Sequence, residues 1–120
     1  YKHRKKANEI ANMFLIGEVS GKDIIIVDDM VDTAGTLTKA ADLMMENGAK
    51  SVRAMATHPI LSGEAYDRIE NSQLTELIVT DTIPLAKSSP KIKVISVADL
   101  FADIMKKVTT HESISEVFIV

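Results

Sequence analysis

The feature that most restricts the fold is an uninterrupted β-branched run at residues 24–27 (IIIV), which leads into a polar loop and a helical pattern. A strand with one exposed face alternates apolar and polar residues, whereas a run without alternation is typical of a strand covered on both faces in a parallel sheet. In an open parallel sheet, ligands bind beyond the carboxyl ends of the strands. The loop at residues 28–36 therefore has the right position for a ligand site.

The rest of the chain alternates apolar runs with helical stripes. Strands are predicted at residues 52–56, 74–80 and 91–97, and helices at residues 36–47, 62–71 and 100–108. Gly48 is placed to end the first helix, and Ser62 to cap the second. Residues 8–15 are predicted to form a short helix or a loop, and residues 113–120 a short edge strand. This order predicts an α/β domain with a mostly parallel sheet flanked by helices.

Composition fits a single globular domain over residues 1–120, since no internal repeat or linker divides the chain. Apolar residues make up 46% of the sequence and charged residues 26%, which argues against disorder of the whole chain. A net charge of −3 and an aromatic content of 4% disfavour nucleic-acid binding. No apolar run is long enough for a membrane helix, and the absence of cysteine excludes disulfides and fits a cytoplasmic protein.

The loop at residues 28–36 has the composition of a phosphate-binding turn. Thr33, Gly35 and Thr36 come at the predicted start of a helix, where unpaired N–H groups and the helix dipole favour an anion. The alternative is that Asp32 or Thr33 simply caps the helix. A cap explains one acid or hydroxyl, but not three aspartates, two threonines and a glycine within one loop.

Two adjacent aspartates, Asp28 and Asp29, follow the β-branched run. Neighbouring carboxylates repel each other unless hydrogen bonds or a cation balance them. Sugar hydroxyls donate hydrogen bonds to carboxylates, and Mg²⁺ prefers carboxylate, water and phosphate oxygens. The pair beside a phosphate loop therefore indicates a sugar phosphate with Mg²⁺, the alternative being that both aspartates are turn residues.

The segment at residues 27–37, VDDMVDTAGTL, resembles the ribose-phosphate loop of the type I phosphoribosyltransferase fold and, within that fold, of the ribose-phosphate diphosphokinase family. Further segments are similar to the C-terminal part of this family, in the same order along the chain: residues 46–50, 56–63, 68–72, 79–84, 96–98 and 112–115. The resemblance covers essentially the whole chain. It implies a phosphoribosyltransferase-like (Rossmann-like) domain of three layers.

The resemblance also implies an activity. Enzymes of this family transfer the diphosphoryl group of MgATP to the 1-hydroxyl of ribose 5-phosphate, giving phosphoribosyl pyrophosphate and AMP. The chain would be the C-terminal domain of a longer enzyme. Because the family builds its ATP pocket largely from the preceding domain and a neighbouring subunit, we expect no synthetase activity from this chain alone. The implied partners are ribose 5-phosphate, ATP with Mg²⁺, the N-terminal domain, further copies in a homo-oligomer (a hexamer in the family), and ADP or phosphate as regulators.

Individual site residues follow from the same resemblance. Residues 1–8 would be the remnant of a flexible catalytic loop, in which Lys2 and Arg4 neutralise charge on the transferred diphosphate; we expect this segment to be disordered without the rest of the site. Asp28 and Asp29 would hold the ribose hydroxyls, directly or through Mg²⁺. The 5-phosphate would be bound by Asp32, Thr33, Ala34, Gly35 and Thr36.

A regulatory site for phosphate or ADP would involve Ser113, Ser115 and Phe118, by resemblance alone. These positions also fit a polar edge of a terminal strand. His58 is expected to pack in a loop rather than bind a metal, because no second ligand stands at a suitable spacing.

Two other functions stay open. A receiver domain of a signalling protein has a similar length and an acidic pair after its first strand, and Asp81 would then be the phosphoacceptor. The threonines and glycine at residues 33–36 argue against that alternative, since a receiver needs no phosphate cradle there. The second is a regulatory subunit that binds a phosphorylated ribose without catalysis, against which Lys2 and Arg4 favour the enzyme.

Overall fold

The computed structural model describes residues 17–115 of the chain, together with the backbone of residues 2–6 and 9–13. The described strands are β1 (Lys2–Lys6), β2 (Glu9–Met13), β3 (Asp23–Val31), β4 (Ser51–Pro59), β5 (Glu76–Thr80) and β6 (Ile92–Ile95). The described helices are α1 (Gly35–Glu46), α2 (Ala65–Asn71) and α3 (Ala98–Thr109). From β3 onward, helices follow β3, β4 and β6, while β5 leads directly into β6. This mixed order of strands and helices confirms the predicted α/β class.

The main sheet is parallel and has four strands in the order β3-β4-β5-β6. The register places Asp28 beside Ala56, and Ala56 beside Val79. All four carboxyl ends therefore meet at one edge of the sheet, and the loop at residues 32–34 leaves from that edge. The two N-terminal strands, β1 and β2, form a separate antiparallel pair.

The hydrophobic core lies between this sheet and the helices α1 and α2. Its fully buried members come from both layers: Ala41, Val52, Ala65, Ile69 and Leu77. Along β4 and β5, buried residues alternate with more exposed ones, because successive side chains of a strand point to opposite faces. Gly48 follows α1 with φ +93°, a conformation that favours glycine and confirms the predicted end of this helix.

The prediction that residues 24–27 are covered on both faces is wrong for the described part of the chain. Ile24 and Ile26 pack against the core, but Ile25 is 61% exposed and Val27 75% exposed on the opposite face. The reason is that α1 and α2 pack on the core side of the sheet, and on the other face Met55 of β4 and Ile95 of β6 are exposed as well. The described core thus lies on the side of the sheet that α1 and α2 cover.

The strands β3 and β4 are longer than predicted. β3 continues to Val31 and contains Asp28 and Asp29, so the alternative that these two are turn residues is wrong. β4 continues to Pro59 and contains His58, which was expected in a loop.

Other local boundaries also differ from the predictions. Residues 9–13 form a strand and not a helix or loop, and residues 2–6 form a strand where disorder was expected. Ser62 does not cap α2, because that helix begins at Ala65 and Glu64 precedes it. Residues 113–115 contain no strand, and residues 116–120 lie outside the described part of the chain.

The last helix, α3, has the predicted apolar stripe, but none of its residues is buried in the described structure. Leu100, Phe101, Met105 and Val108 are each at least 43% exposed. Across the described ranges, no helix combines the length and the apolar character needed to span a membrane.

Candidate functional site

The turn between β3 and α1 is sharp, and Ala34 occupies its critical position. Ala34 adopts a left-handed conformation with φ +63°, which costs an L-residue about 1–2 kcal/mol. Its carbonyl oxygen accepts the Thr38 N–H (3.0 Å) and the Thr38 hydroxyl (2.7 Å), so the first turn of α1 closes directly on it. Ala34 and Thr38 are both buried, which holds this conformation in place.

The N-terminus of α1 has no side-chain cap among the described residues. Ala34 occupies the N-cap position and has no polar side chain, and the first turn contains no acidic residue. The alternative that Asp32 or Thr33 caps the helix is therefore wrong. The N–H groups of the first turn carry the positive end of the helix dipole, and they are open to an anionic ligand.

A cleft of about 450 Å³ lies at this helix end, and its volume suits a small phosphorylated metabolite. All seven residues predicted to bind the sugar phosphate contribute to its lining: Asp28, Asp29, Asp32, Thr33, Ala34, Gly35 and Thr36. Apolar walls come from Ile26, Val31, Leu37 and Ala40. The structure thus brings together the aspartate pair, the threonines and the uncapped helix end.

Asp28 and Asp29 are both exposed, and a backbone group of one binds the side chain of the other. The N–H of Asp29 donates to Asp28 Oδ1 over 2.8 Å. The pKa of Asp29 lies below its ordinary value, first because of its hydrogen bonding with the Asp28 side chain and second because the Met30 N–H donates to its carboxylate. Asp29 is therefore ionised at neutral pH and can accept hydrogen bonds from hydroxyl groups.

A metal held here would need ligands from outside the protein. No group of three or more histidine, cysteine, aspartate or glutamate side chains converges within the described ranges. Two carboxylates with water and phosphate oxygens still form a donor set that Mg²⁺ accepts, because this cation keeps several waters and binds few protein ligands.

The loop leading to α1 is supported by the segment that follows β4. The Val31 carbonyl accepts N–H groups from residues 60 (3.0 Å) and 61 (3.1 Å). The Asp32 carbonyl accepts the Ser62 N–H over 2.9 Å, and the Ser62 hydroxyl donates to Asp32 Oδ1. The Asp32 carboxylate thus binds Ser62, while Asp32 as a residue also contributes to the cleft lining.

A second contact comes from α2. Arg68 Nη1 donates to the Thr33 carbonyl over 3.0 Å, and Arg68 Nη2 lies 3.8 Å from Glu64 Oε2. Sequence analysis missed Ser62 and Arg68 as residues of this site. Only the similarity at residues 56–63 and 68–72 marked these positions, because the contacts join residues 30 and 35 positions apart.

The remaining predicted site residues lie elsewhere in the described chain. Lys2 and Arg4 belong to β1, opposite Met13 and Ile10 of β2. Ser113 and Ser115 follow α3 and share a hydrogen bond of 2.8 Å between their hydroxyls. Phe118 lies outside the described residues. The roles assigned to these five residues stay predictions.

Two further polar residues at the carboxyl edge have structural contacts. The Nδ1 atom of His58 forms a hydrogen bond of 2.9 Å with the Thr82 hydroxyl. Asp81 Oδ1 accepts the Val97 N–H over 2.9 Å, just before α3 begins. The Asp81 carboxylate therefore binds the backbone at the start of α3. This contact gives Asp81 a structural role that does not require it to be a phosphoacceptor.

Comparison with known proteins assigns the chain to a family. Residues 3–119 match the family model described as phosphoribosyl synthetase-associated domain. The chain belongs to this family. That membership excludes the receiver-domain alternative and confirms the resemblance found in the sequence.

Two curated proteins similar to this chain have the same name. The ribose-phosphate pyrophosphokinase of Porphyromonas gingivalis is 55% identical over 118 residues, which cover 98% of this chain and 38% of that protein. The ribose-phosphate pyrophosphokinase of Wolinella succinogenes is 52% identical over 118 residues, with the same coverage of 98% and 38%. The chain therefore spans about 38% of the length of these curated relatives.

A solved structure supports the fold as well. The phosphoribosylpyrophosphate synthetase from Mycobacterium smegmatis superimposes with a TM-score of 0.79 at 37% identity. The match covers 92% of this chain and 36% of that one. The parallel α/β fold predicted from the sequence is thus confirmed by a structure of the same family.

Proposed function

We propose that this chain is the ribose 5-phosphate-binding part of a ribose-phosphate pyrophosphokinase. The observation that carries the proposal is the cleft at the uncapped start of α1, in which the aspartate pair and the threonine loop lie together. The identity to relatives named ribose-phosphate pyrophosphokinase supports the same ligand. In the proposed reaction, the 1-hydroxyl oxygen of ribose 5-phosphate bonds to the β-phosphorus of ATP, AMP leaves, and the hydroxyl proton is lost.

The 5-phosphate is the group that the helix end would hold. Its negative charge is favoured by the first-turn N–H groups and by the dipole of α1. Thr33 and Thr36 line the same cleft, and their hydroxyls would donate to the phosphate oxygens. Gly35 starts the helix without a side chain, so the ligand can approach the backbone there.

The ribose would be held by Asp28 and Asp29. An ionised carboxylate accepts hydrogen bonds only, and the hydroxyls of a sugar supply the donors. When Mg²⁺ is bound with ATP, it would supply charge neutralisation for the phosphate groups, and Asp28 and Asp29 are the carboxylates placed to hold it. This arrangement puts the sugar at the end of β3 and its phosphate at the start of α1.

The second half of the reaction would use groups beyond this cleft. Lys2 and Arg4 are proposed to neutralise charge on the transferred diphosphate, within a catalytic segment at residues 1–8. We propose that ATP binding requires the N-terminal domain and a neighbouring copy in a homo-oligomer, so that the 120-residue chain alone has no synthetase activity. Regulation by ADP or phosphate would involve Ser113, Ser115 and Phe118.

Calorimetric titration of the chain with ribose 5-phosphate and Mg²⁺ tests the proposal. We expect saturable binding that is lost when Asp28, Asp29 and Thr36 are replaced by alanine together. The matched control is Asp23→Ala, because Asp23 lies at the opposite end of the same strand and should leave the affinity unchanged. The proposal fails if the unmodified chain does not bind, or if the triple variant binds as tightly as the control.

A further inference from the structure

Three consecutive carbonyl groups, at residues 31–33, all accept hydrogen bonds from the segment formed by residues 60–68. Successive carbonyls of an extended strand point in alternate directions. The direction therefore stops alternating at the end of β3, where the chain turns into the phosphate loop. Hydrogen bonds from residues 60–68 stabilise this departure from strand geometry.

The orientation of these carbonyls determines where the N–H groups point. In a planar trans peptide, the N–H of the following residue points opposite to the carbonyl. The N–H groups of residues 32–34 are accordingly directed away from the 60–68 segment. Successive N–H groups on one side of a backbone turn form a concave anion-binding surface, to which the first turn of α1 adds its own N–H groups.

This loop conformation needs support, because Ala34 is left-handed and α1 has no side-chain cap among the described residues. Two side chains from the 60–68 segment supply it. The Ser62 hydroxyl holds the Asp32 carboxylate, and the Arg68 guanidinium holds the Thr33 carbonyl. Arginine is suited to this contact because its planar, permanently charged fork retains a fixed direction of donation.

We propose that Ser62 and Arg68 are positioning residues, which hold residues 32–34 in the conformation that presents their N–H groups to the phosphate. The proposal rests on the proposed function for its ligand. Neither side chain is required to touch that ligand. The effect of removing one is a loop that samples other conformations, so that binding must order it again at a cost in affinity.

The test compares Ser62→Ala and Arg68→Gln with matched controls in the same protein. Ser51→Ala removes a serine–aspartate bond of 2.6 Å to Asp23, which also joins β3 to the β4 region but lies at the amino end. Arg53→Gln removes an arginine ion pair of 3.3 Å with Glu76, far from the cleft. Ser62→Thr retains the hydroxyl and serves as the rescue variant.

The first measurement is the calorimetric affinity for ribose 5-phosphate in the presence of Mg²⁺. We expect binding weakened about tenfold in Ser62→Ala and in Arg68→Gln, as for loss of one hydrogen bond to a charged group. Ser62→Thr and both controls should retain the wild-type affinity. Urea unfolding of each variant separates this effect from a loss of global stability, which should be no larger than in the controls.

The second measurement needs no ligand. Backbone ¹⁵N order parameters at residues 32–34 should be near 0.85 in the wild-type chain and in the controls, and below about 0.6 in Ser62→Ala and in Arg68→Gln. If the wild-type chain does not bind ribose 5-phosphate, the proposed function fails, and these order parameters alone support or overturn the positioning role. The positioning role is overturned if Ser62→Ala and Arg68→Gln both retain the wild-type order parameters. It is also overturned if the order parameters fall while the affinity for ribose 5-phosphate stays unchanged.

Discussion

Ala34 shows how one residue shapes a binding site through its backbone. It is the point at which the chain leaves the strand and begins the helix, and its left-handed conformation opens the helix end that a cap would otherwise occupy. A residue with a polar side chain at this position could satisfy the first-turn N–H groups by itself. Alanine cannot, and the helix end stays available to a ligand.

Substitution of Ala34 by valine should therefore be costly. A β-branched residue at φ +63° is strained, and the buried site has little room for two further methyl groups, so we expect a loss of about 2–4 kcal/mol in the free energy of unfolding. Ala34→Gly should cost much less, because glycine adopts this conformation without strain. Urea denaturation measures both, with Ala86→Val at an exposed position as control. Equal losses in Ala34→Val and Ala86→Val would contradict the prediction.

Among the described helices, α3 is the most exposed. None of its residues is buried, and its start is fixed by the Asp81 carboxylate, which accepts the Val97 N–H. The pKa of Asp81 lies below its ordinary value of 3.8, first because of that N–H and second because of the Ser96 side chain. The start of this helix is thus bound to an ionised side chain just after β5.

The sign of the pH effect follows from that direction. A depressed pKa in the folded state means that the bond contributes above pH 3.8 and is lost as pH falls through the lower, folded-state value. We expect the Val97 amide resonance in NMR spectra to titrate with a midpoint below 3.8 and to show no such step in Asp81→Asn. A midpoint above 3.8 would mean that the carboxylate does not favour the bound geometry.

At the scale of the whole molecule, the sheet has one buried face and one open face in the described structure. Val52 is fully buried between β4 and the helices, whereas Val27 on the neighbouring strand is 75% exposed. The two residues have the same side chain, and Val27 belongs to the more apolar run of the two. Their energetic contributions should nevertheless differ, because burial and not residue type determines what an apolar side chain contributes.

Replacing each valine by threonine measures this difference, since the two side chains have nearly the same shape. Val52→Thr should lower the free energy of unfolding by about 1–3 kcal/mol, because the hydroxyl is buried without a suitable acceptor. Val27→Thr should change it by less than about 0.5 kcal/mol, as for other exposed positions. Urea denaturation gives both values. A large loss in Val27→Thr would show that the second face is covered in solution.

Much of this fold could be predicted from local patterns. The four parallel strands, the helix at residues 35–46 and its terminal glycine follow from β-branched runs, a helical stripe and a conformation that only glycine adopts easily. The seven predicted site residues of the cleft lie within nine consecutive positions, so their proximity is also a local property. Contacts between residues close in sequence depend little on where distant elements pack. Local sequence patterns can therefore predict them.

The properties that could not be predicted depend on distant contacts. Whether residues 24–27 are covered on both faces depends on which other elements reach the outer strand β3. The Ser62–Asp32 and Arg68–Thr33 bonds join positions 30 and 35 residues apart, and Ser62 had instead the local pattern of a helix cap. Loop composition alone thus predicted a phosphate site, while the packing of α2 against α1 decided which residues hold that loop in shape, because a strained turn is stable only when its surroundings fix it.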